Sequence, residues 1–359
     1  MKLTRFFTVI TSIQAPTNSV MSIMKYIADV GGTLVVAGDK KGPVDYKLDS
    51  NPENLQFLSL SDQLASPFVL AQLLPTGHYS RKNIAYLHAI AQGAEYIYET
   101  DDDNAPMINW KPRSAYLDGA RIVESISSGR QNTAWVNVYR YFTDALIWPR
   151  GLPLDEIHTR VPVTADHGND KEKIYSPIQQ GLVNKSPDVD AIWRLVMDRP
   201  FEFEDRPSVY LSPGNWCPFN TQSTWWWPAA YPLLYIPSHC SFRMCDIWKS
   251  FIAQRCVWEL GAGVTFHAPE VVQDRNIHDL MKDFGEETIG YDRNKEMVEI
   301  LEKVDLKKGL ENVSENLRTC YEALVELRFF PEKELDLVDT WISDFKGLNR
   351  KEDSLQGTA

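Results

Sequence analysis

Three consecutive carboxylates, Asp101, Asp102 and Asp103, are the residues in this chain best equipped for chemistry. They follow the apolar stretch Tyr96-Ile97-Tyr98 and precede Ala105-Pro106. Carboxylates crowded at the tip of a buried strand repel one another. A divalent cation offsets that repulsion, and hard oxygen ligands suit Mg²⁺ or Mn²⁺. A cation held by only one or two carboxylates keeps coordination positions open for a substrate diphosphate. In an alternating D-x-D strand the first and third side chains point the same way. Asp103 is therefore assigned to the metal and Asp101 to hydroxyl contacts, with Asp102 as a supporting group or a ligand.

Other residue types fall where they could assist. Arg81 and Lys82 stand at the expected start of a helix, where a positive side chain opposes the macrodipole. Neutralising a phosphate or the nearby aspartates would justify the pair; an ordinary solvated basic pair is the plainer reading. Thr11, Ser12 and Asp39 close two early strands, and Asp39 is placed to accept from a nucleobase or ribose, against the simpler role of a turn aspartate. Asp246, within Arg243-Met244-Cys245-Asp246-Ile247-Trp248, marks a helix start, either as a cap or as a general base. His267 ends the short strand Val264–His267, where a further metal ligand could enter, and His278 is the second choice. Asp188 and Asp190 could bind sugar hydroxyls, supply the base or cap a helix. The run Trp225-Trp226-Trp227 is either core or an aromatic platform for a sugar ring.

The elements that must position these groups follow from periodicity. Phe6–Ile13 is a continuous apolar run, read as a doubly buried strand in preference to a signal peptide, because it is short, β-branched and followed by no small-residue cleavage site. Met21, Met24, Ile27 and Val30 give helical spacing after a cap at Thr17 or Asn18. Thr33–Ala37 and Leu55–Leu60 read as strands. Lys82–Gln92 reads as a helix ended by Gly93, and Glu95–Glu99 as the strand that leads into the aspartates. This alternation predicts an α/β fold with a Rossmann-like, mostly parallel mixed sheet flanked by helices. Ligands of such sheets bind at the carboxyl ends of strands. Farther on, Thr133–Phe142 reads as a strand, 148–235 as binding loops, and 246–262 as a helix. From 294 the pattern is amphipathic and helical, and the polar tail from Arg350 is expected to be disordered. The expected division is 1–115 as a Rossmann-like half, 116–293 as a second half of the same domain, and 294–359 as a C-terminal helical extension and tail.

Bulk properties narrow the class. The 359 residues carry a net charge of -12, which argues against a nucleic-acid binder or a polybasic membrane anchor. Five cysteines without a CxxC pair suggest free thiols in a reducing compartment. No stretch approaches the ~18–20 apolar residues of a membrane span. A cytoplasmic location is the expectation.

The combination Tyr79-Ser80-Arg81-Lys82-Asn83, Tyr86-Leu87, Ala89-Ile90, Gly93-Ala94, Ile97 and Asp101-Asp102-Asp103 resembles the plant STELLO glycosyltransferases. So does Asp246-Ile247-Trp248 with Phe251 and Ala253-Gln254-Arg255. The likeness spans roughly residues 5–290; the triple aspartate is also distantly similar to that of the reversibly glycosylated polypeptides. The resemblance implies a GT-A fold and transfer of a sugar from a metal-bound nucleotide sugar to a carbohydrate hydroxyl. It implies nucleotide-sugar binding by the first half, 1–115, and acceptor binding and catalysis by the second, 116–293. UDP is the implied nucleotide, and UDP-xylose and UDP-glucose are the donor candidates. On this reading Asp103 and His267 hold Mn²⁺ or Mg²⁺, and Thr11, Ser12, Asp39, Arg81, Lys82, Asp101 and Asp102 hold the donor. Asp246 deprotonates the acceptor, which predicts inversion. The alternatives are a metal-dependent phosphohydrolase or nucleotidyltransferase, and an inactive scaffold that recruits other glycosyltransferases. The plant proteins carry an N-terminal membrane anchor with no match here, so a Golgi location does not carry over. The helices beyond about 294 have no counterpart in this reading and offer a surface for a homo-oligomer.

Overall fold

The computed structural model describes residues 5–47, 52–124, 134–159, 163–166, 173–197, 199–274 and 279–356. Its centre is an 11-stranded mixed sheet. The strands are β1 (Phe6–Thr11), β2 (Thr33–Ala37), β3 (Leu55–Leu58), β4 (Tyr96–Thr100), β5 (Asn104–Pro106), β6 (Arg121–Val123), β7 (Val163–Asp166), β8 (Ile178–Asn184), β9 (Val209–Leu211), β10 (Ser223–Trp226) and β11 (Val264–Gln273). Their order is β3-β2-β1-β4-β10-β8-β11-β9-β6-β7, with β5 paired to β11.

The first four strands in that order are parallel, through Val9↔Val35 and Phe7↔Ile97 among other pairs. Strand β10 inserts antiparallel between β4 and β8, and β8 and β11 then run parallel. Strands β1, β2, β4, β8 and β11 consequently all point their carboxyl ends the same way. The chain order reverses between β2 and β4 on either side of β1, which opens a crevice at those ends.

Alternation along the strands sorts the two faces. Phe6, Ile10, Leu34, Val36 and Tyr98 pack with Val20, Ile23 and Ile27 of α1 (Asn18–Asp29). Phe7, Val9, Val35 and Ile97 face the larger core with Ile84 and Leu87 of α4 (Lys82–Ala91). Between β3 and α4 lie two short helices, α2 (Leu60–Ala65) and α3 (Leu70–Leu73). Helix α5 (Ala191–Met197) follows β8, and α6 (Cys245–Trp258) precedes β11.

Three further helices, α7 (Leu280–Lys303), α8 (Val313–Glu326) and α9 (Lys333–Gln356), close the chain. Met297, Leu301, Leu317, Tyr321, Val338 and Trp341 are buried in the same core cluster as the sheet and α4. Helix α7 runs through residue 294 without a break, and α9 carries helix into the tail expected to be disordered. The strand expected over Thr133–Phe142 is only Ala134–Trp135, followed by a 3₁₀ turn at Val138–Tyr141. Asn137 interrupts it, because its amide turns inward to donate to the carbonyls of Ile147 and Ile157. Among the described residues, no helix is long and apolar enough to cross a membrane.

Candidate functional site

The carboxyl ends of β1, β2, β4, β8 and β11 and the start of α6 bound one crevice of about 600 Å³. Thr11, Ser12, Asp39, all three of Asp101–Asp103, Asp188 and Asp246 line it. Residues separated by more than 230 positions in sequence are thus brought together by the sheet topology.

The aspartates do not continue β4. The chain turns, with the Asn104 N–H bonded to the Asp101 carbonyl, so the period-two assignment of side-chain directions does not apply. Each carboxylate has its own surroundings instead. Asp101 accepts from the Tyr79 hydroxyl at 2.6 Å and from the Lys82 ammonium at 3.3 Å. Burial raises its pKa and Lys82 opposes the rise. Asp102 accepts from the Ser12 hydroxyl, while its carbonyl accepts from Thr17, the residue that caps α1. Burial also raises its pKa, and the Ser12 bond opposes the rise. Asp103 accepts from the Gln273 amide at 3.0 Å, at the far end of β11. Its other oxygen, Oδ1, is buried and has no partner among the described residues. Burial, followed by repulsion from Asp101, pushes the Asp103 carboxyl up to about 7.

Gln222 adds a second orphan. The Ser223↔Thr100 pairing brings it beside Asp101, and its Oε1 is buried without a partner among the described residues. No three His, Cys, Asp or Glu side chains among the described residues form a complete metal cage. An unpaired carboxylate oxygen and a nearby amide oxygen still fit a hard cation that takes its remaining ligands from a substrate diphosphate and water.

Lys82 works from below. It is fully buried, and its ammonium donates to the Thr100 carbonyl at 2.7 Å and to the Tyr79 hydroxyl at 2.8 Å, as well as to Asp101. Its placement at a helix start is thus explained by the aspartate it partly neutralises. Arg81 differs from expectation. It is buried away from the crevice, donating to Gln63 and to the carbonyls of Ala71 and Leu74, where it ties α2 and α3 to α4. Thr11 lines the crevice, but its hydroxyl donates to the Ala37 carbonyl. Asp39 also lines it, with its oxygens taken by the N–H groups of Lys40, Gly77 and His78. Asp39 therefore fixes the loop that presents His78 and Tyr79.

His267 is not brought to the crevice. It lies mid-way along β11, six residues before Gln273, paired with Gly181. Its ring nitrogens are both engaged, Nδ1 with Ser208 and Nε2 with Gln179. Burial and the nearby Arg113 push its pKa well below the ordinary value, so it is a neutral core histidine. β11 extends to Gln273, well past the expected strand end at 267, which is why the strand-end argument misplaced it. His278 lies outside the described residues.

Asp246 enters the crevice from the first turn of α6, clamped by Arg150. The guanidinium donates to both its oxygens, at 3.0 and 2.8 Å, and to both oxygens of Asp188, at 2.8 and 2.8 Å. Burial alone would lower the Arg150 pKa, but the two carboxylates together outweigh it and push it well above its ordinary value. Asp190, by contrast, is a helix cap that accepts from Trp193 N–H and the Trp148 indole. Trp225 and Trp226 are fully buried, their indoles donating to Glu270 and Glu99, and Trp227 is nearly so; the run is core.

Tyr79, Arg150, Gln222, Phe242 and Gln273 were not evident from sequence. Tyr79 opens the stretch that carries the family resemblance but had no role assigned; the other four belong to no motif, and each reaches the crevice through a long-range contact or loop.

The chain resembles proteins of known family. A family description, STELLO glycosyltransferases, matches residues 243–357. This match includes the C-terminal helices α7 to α9 as far as residue 357. "Probable glycosyltransferase STELLO2" of Arabidopsis thaliana is 28% identical over 288 residues, covering 73% of this chain and 35% of the relative. "Probable glycosyltransferase STELLO1" of the same plant is 29% identical over 276 residues, covering 73% and 34%. The chain thus spans about a third of the length of these curated relatives.

Proposed function

We infer, for a chain that belongs with the STELLO-type glycosyltransferases and has a GT-A-like sheet, that the crevice binds a nucleotide sugar and transfers its sugar to a carbohydrate hydroxyl. The observation that carries this reading is the Asp103 Oδ1, buried and without a partner among the described residues, beside two more aspartates at the carboxyl ends of a mostly parallel sheet. Asp103, with Gln222 nearby, would hold Mn²⁺ or Mg²⁺. That cation would supply positive charge to offset what develops on the departing diphosphate. UDP is the proposed nucleotide, with UDP-xylose or UDP-glucose as donor.

The protein's own groups do the rest. Tyr79 and Lys82 hold Asp101, leaving its remaining oxygen for a donor hydroxyl. Ser12 and Thr17 pin Asp102 and so fix the turn that presents Asp103. Asp246 is the proposed base of an inverting displacement. Arg150 can stay on Asp188, to which it makes two hydrogen bonds, while Asp246 turns to an acceptor hydroxyl. The same clamp favours a second reading, a non-catalytic scaffold in which Asp246 never leaves Arg150.

Calorimetric titration of UDP, GDP and ADP, with and without Mn²⁺, tests the reading. One nucleotide should bind tightly and only with metal. Asp246→Asn should spare that binding and remove transfer. Metal-independent or absent binding of all three nucleotides refutes the donor site. Full transfer by the Asn variant refutes the base.

A further inference from the structure

We propose that Phe242 is the floor of a sugar-ring subsite on the acceptor side of the crevice, taking the flat C–H face of a gluco-configured pyranose. The inference rests on the transferase reading above and adds a class of acceptor and the residue that selects it.

Burying a phenyl ring is worth roughly 1.5–3 kcal/mol, and this fold buries nearly all of its rings. Among the described residues, two aromatic side chains stand out as exposed, Tyr116 at 53% and Phe242 at 52%. Of these, only Phe242 lines the crevice.

The ring is held in place. It belongs to the 3₁₀ turn Phe242–Met244, which leads directly into α6. The preceding Ser241 hydroxyl donates to the Glu286 carbonyl of α7, and the following Arg243 donates twice to Glu287. A position fixed on both sides is pre-organised, which spares a ligand the cost of ordering it.

Its neighbours leave a place for another ring. His78 and Tyr79 each meet Phe242 at a centroid distance of 6.1 Å and near right angles, 77° and 75°. No described ring stacks parallel on it. Tyr79 also donates to Asp101, so one residue links the platform to the acidic turn. Asp246 follows four positions after Phe242. The platform therefore shares one crevice with the groups proposed to hold the donor and with the proposed base.

A pyranose with equatorial hydroxyls presents an axial C–H face that packs on an aromatic ring while its hydroxyls point outward. Lys282, also a crevice residue, gives those hydroxyls a polar partner. A nucleobase is the other flat ring that fits such a surface.

The test uses the full chain and three probes: cellopentaose, xylopentaose and UDP with Mn²⁺. Saturation-transfer NMR and titration would be run on wild type, Phe242→Ala and Phe242→Trp, with thermal midpoints to confirm folding. Alanine should weaken pentasaccharide binding at least about tenfold, or about 1.4 kcal/mol. Tryptophan should restore it, and UDP binding should not change. Pentasaccharide loss with no UDP binding in any variant supports the subsite and refutes the donor reading. Loss of UDP affinity in the Ala variant assigns the ring to the nucleobase and overturns the proposal. Pentasaccharide affinity unchanged by alanine, or no pentasaccharide binding to wild type that binds UDP, also overturns it.

Discussion

Asp103 should make the protein less stable at neutral pH than it would be without that charge. Its carboxyl is pushed from 3.8 up to about 7, chiefly by burial. In the unfolded chain the same group titrates near 4. Between these values the folded state holds a proton that the unfolded state has lost. Stability therefore falls as pH rises through this window; the deficit is absent below about 4 and complete above about 7. A rise of about three units at about 1.4 kcal/mol each sets a ceiling of about 4 kcal/mol. Water screening and relaxation around a partly exposed turn leave ~2 kcal/mol as the expected effect. Asp103→Asn removes the charge and keeps an oxygen for Gln273. Urea unfolding in chelator should show the variant more stable than wild type by ~2 kcal/mol at pH 8 and equal to it at pH 4. Added Mn²⁺ should raise the wild-type midpoint at pH 8 and leave the variant unmoved. Because cation and proton compete for one oxygen, metal affinity should climb with pH to about 7 and then level. An equal shift at both pH values, or no gain at pH 8, refutes the argument.

Two other substitutions separate structural from functional roles. Lys82→Met strips a fully buried cation from Asp101 and from the Thr100 carbonyl, and should cost about 3 kcal/mol in urea unfolding; a cost under about 1 kcal/mol would show that Asp101 is satisfied by Tyr79 alone. His267→Ala should lower stability by about 1–3 kcal/mol through the orphaned Gln179 and Ser208 partners, yet leave Mn²⁺-dependent nucleotide binding unchanged; weakened metal binding would restore the ligand role that the structure denies it.

Much of the N-terminal half was legible in the residue order. Strand periods, helix caps at Thr17 and Gly93, and the alternation of strand and helix are local signals, and together they put Ser12, Asp39 and Asp101 at strand ends. Right-handed parallel crossovers then bring those ends to one edge. The charge on Asp101 and the need to offset it were equally plain; Lys82 was offered to neutralise a phosphate or the aspartates, and its ammonium lies on Asp101. Sequence did not separate Arg81 from Lys82. Adjacent helical positions point about 100° apart, and only the packing of α2 and α3 decides that Arg81 turns away. His267 and Gln273 share one strand, so which of them reaches Asp103 depends on how far β11 extends, a matter of its pairing with β8 and β5. The tryptophan run had the composition of a platform, but insertion of β10 between β4 and β8 made it core and left that role to Phe242. Arg150 on Asp188 and Asp246 joins residues up to 96 positions apart. Such contacts are set by the closing of the whole sheet and its helices, because no local propensity encodes a partner that distant, and it is they that decide which carboxylates remain unpaired.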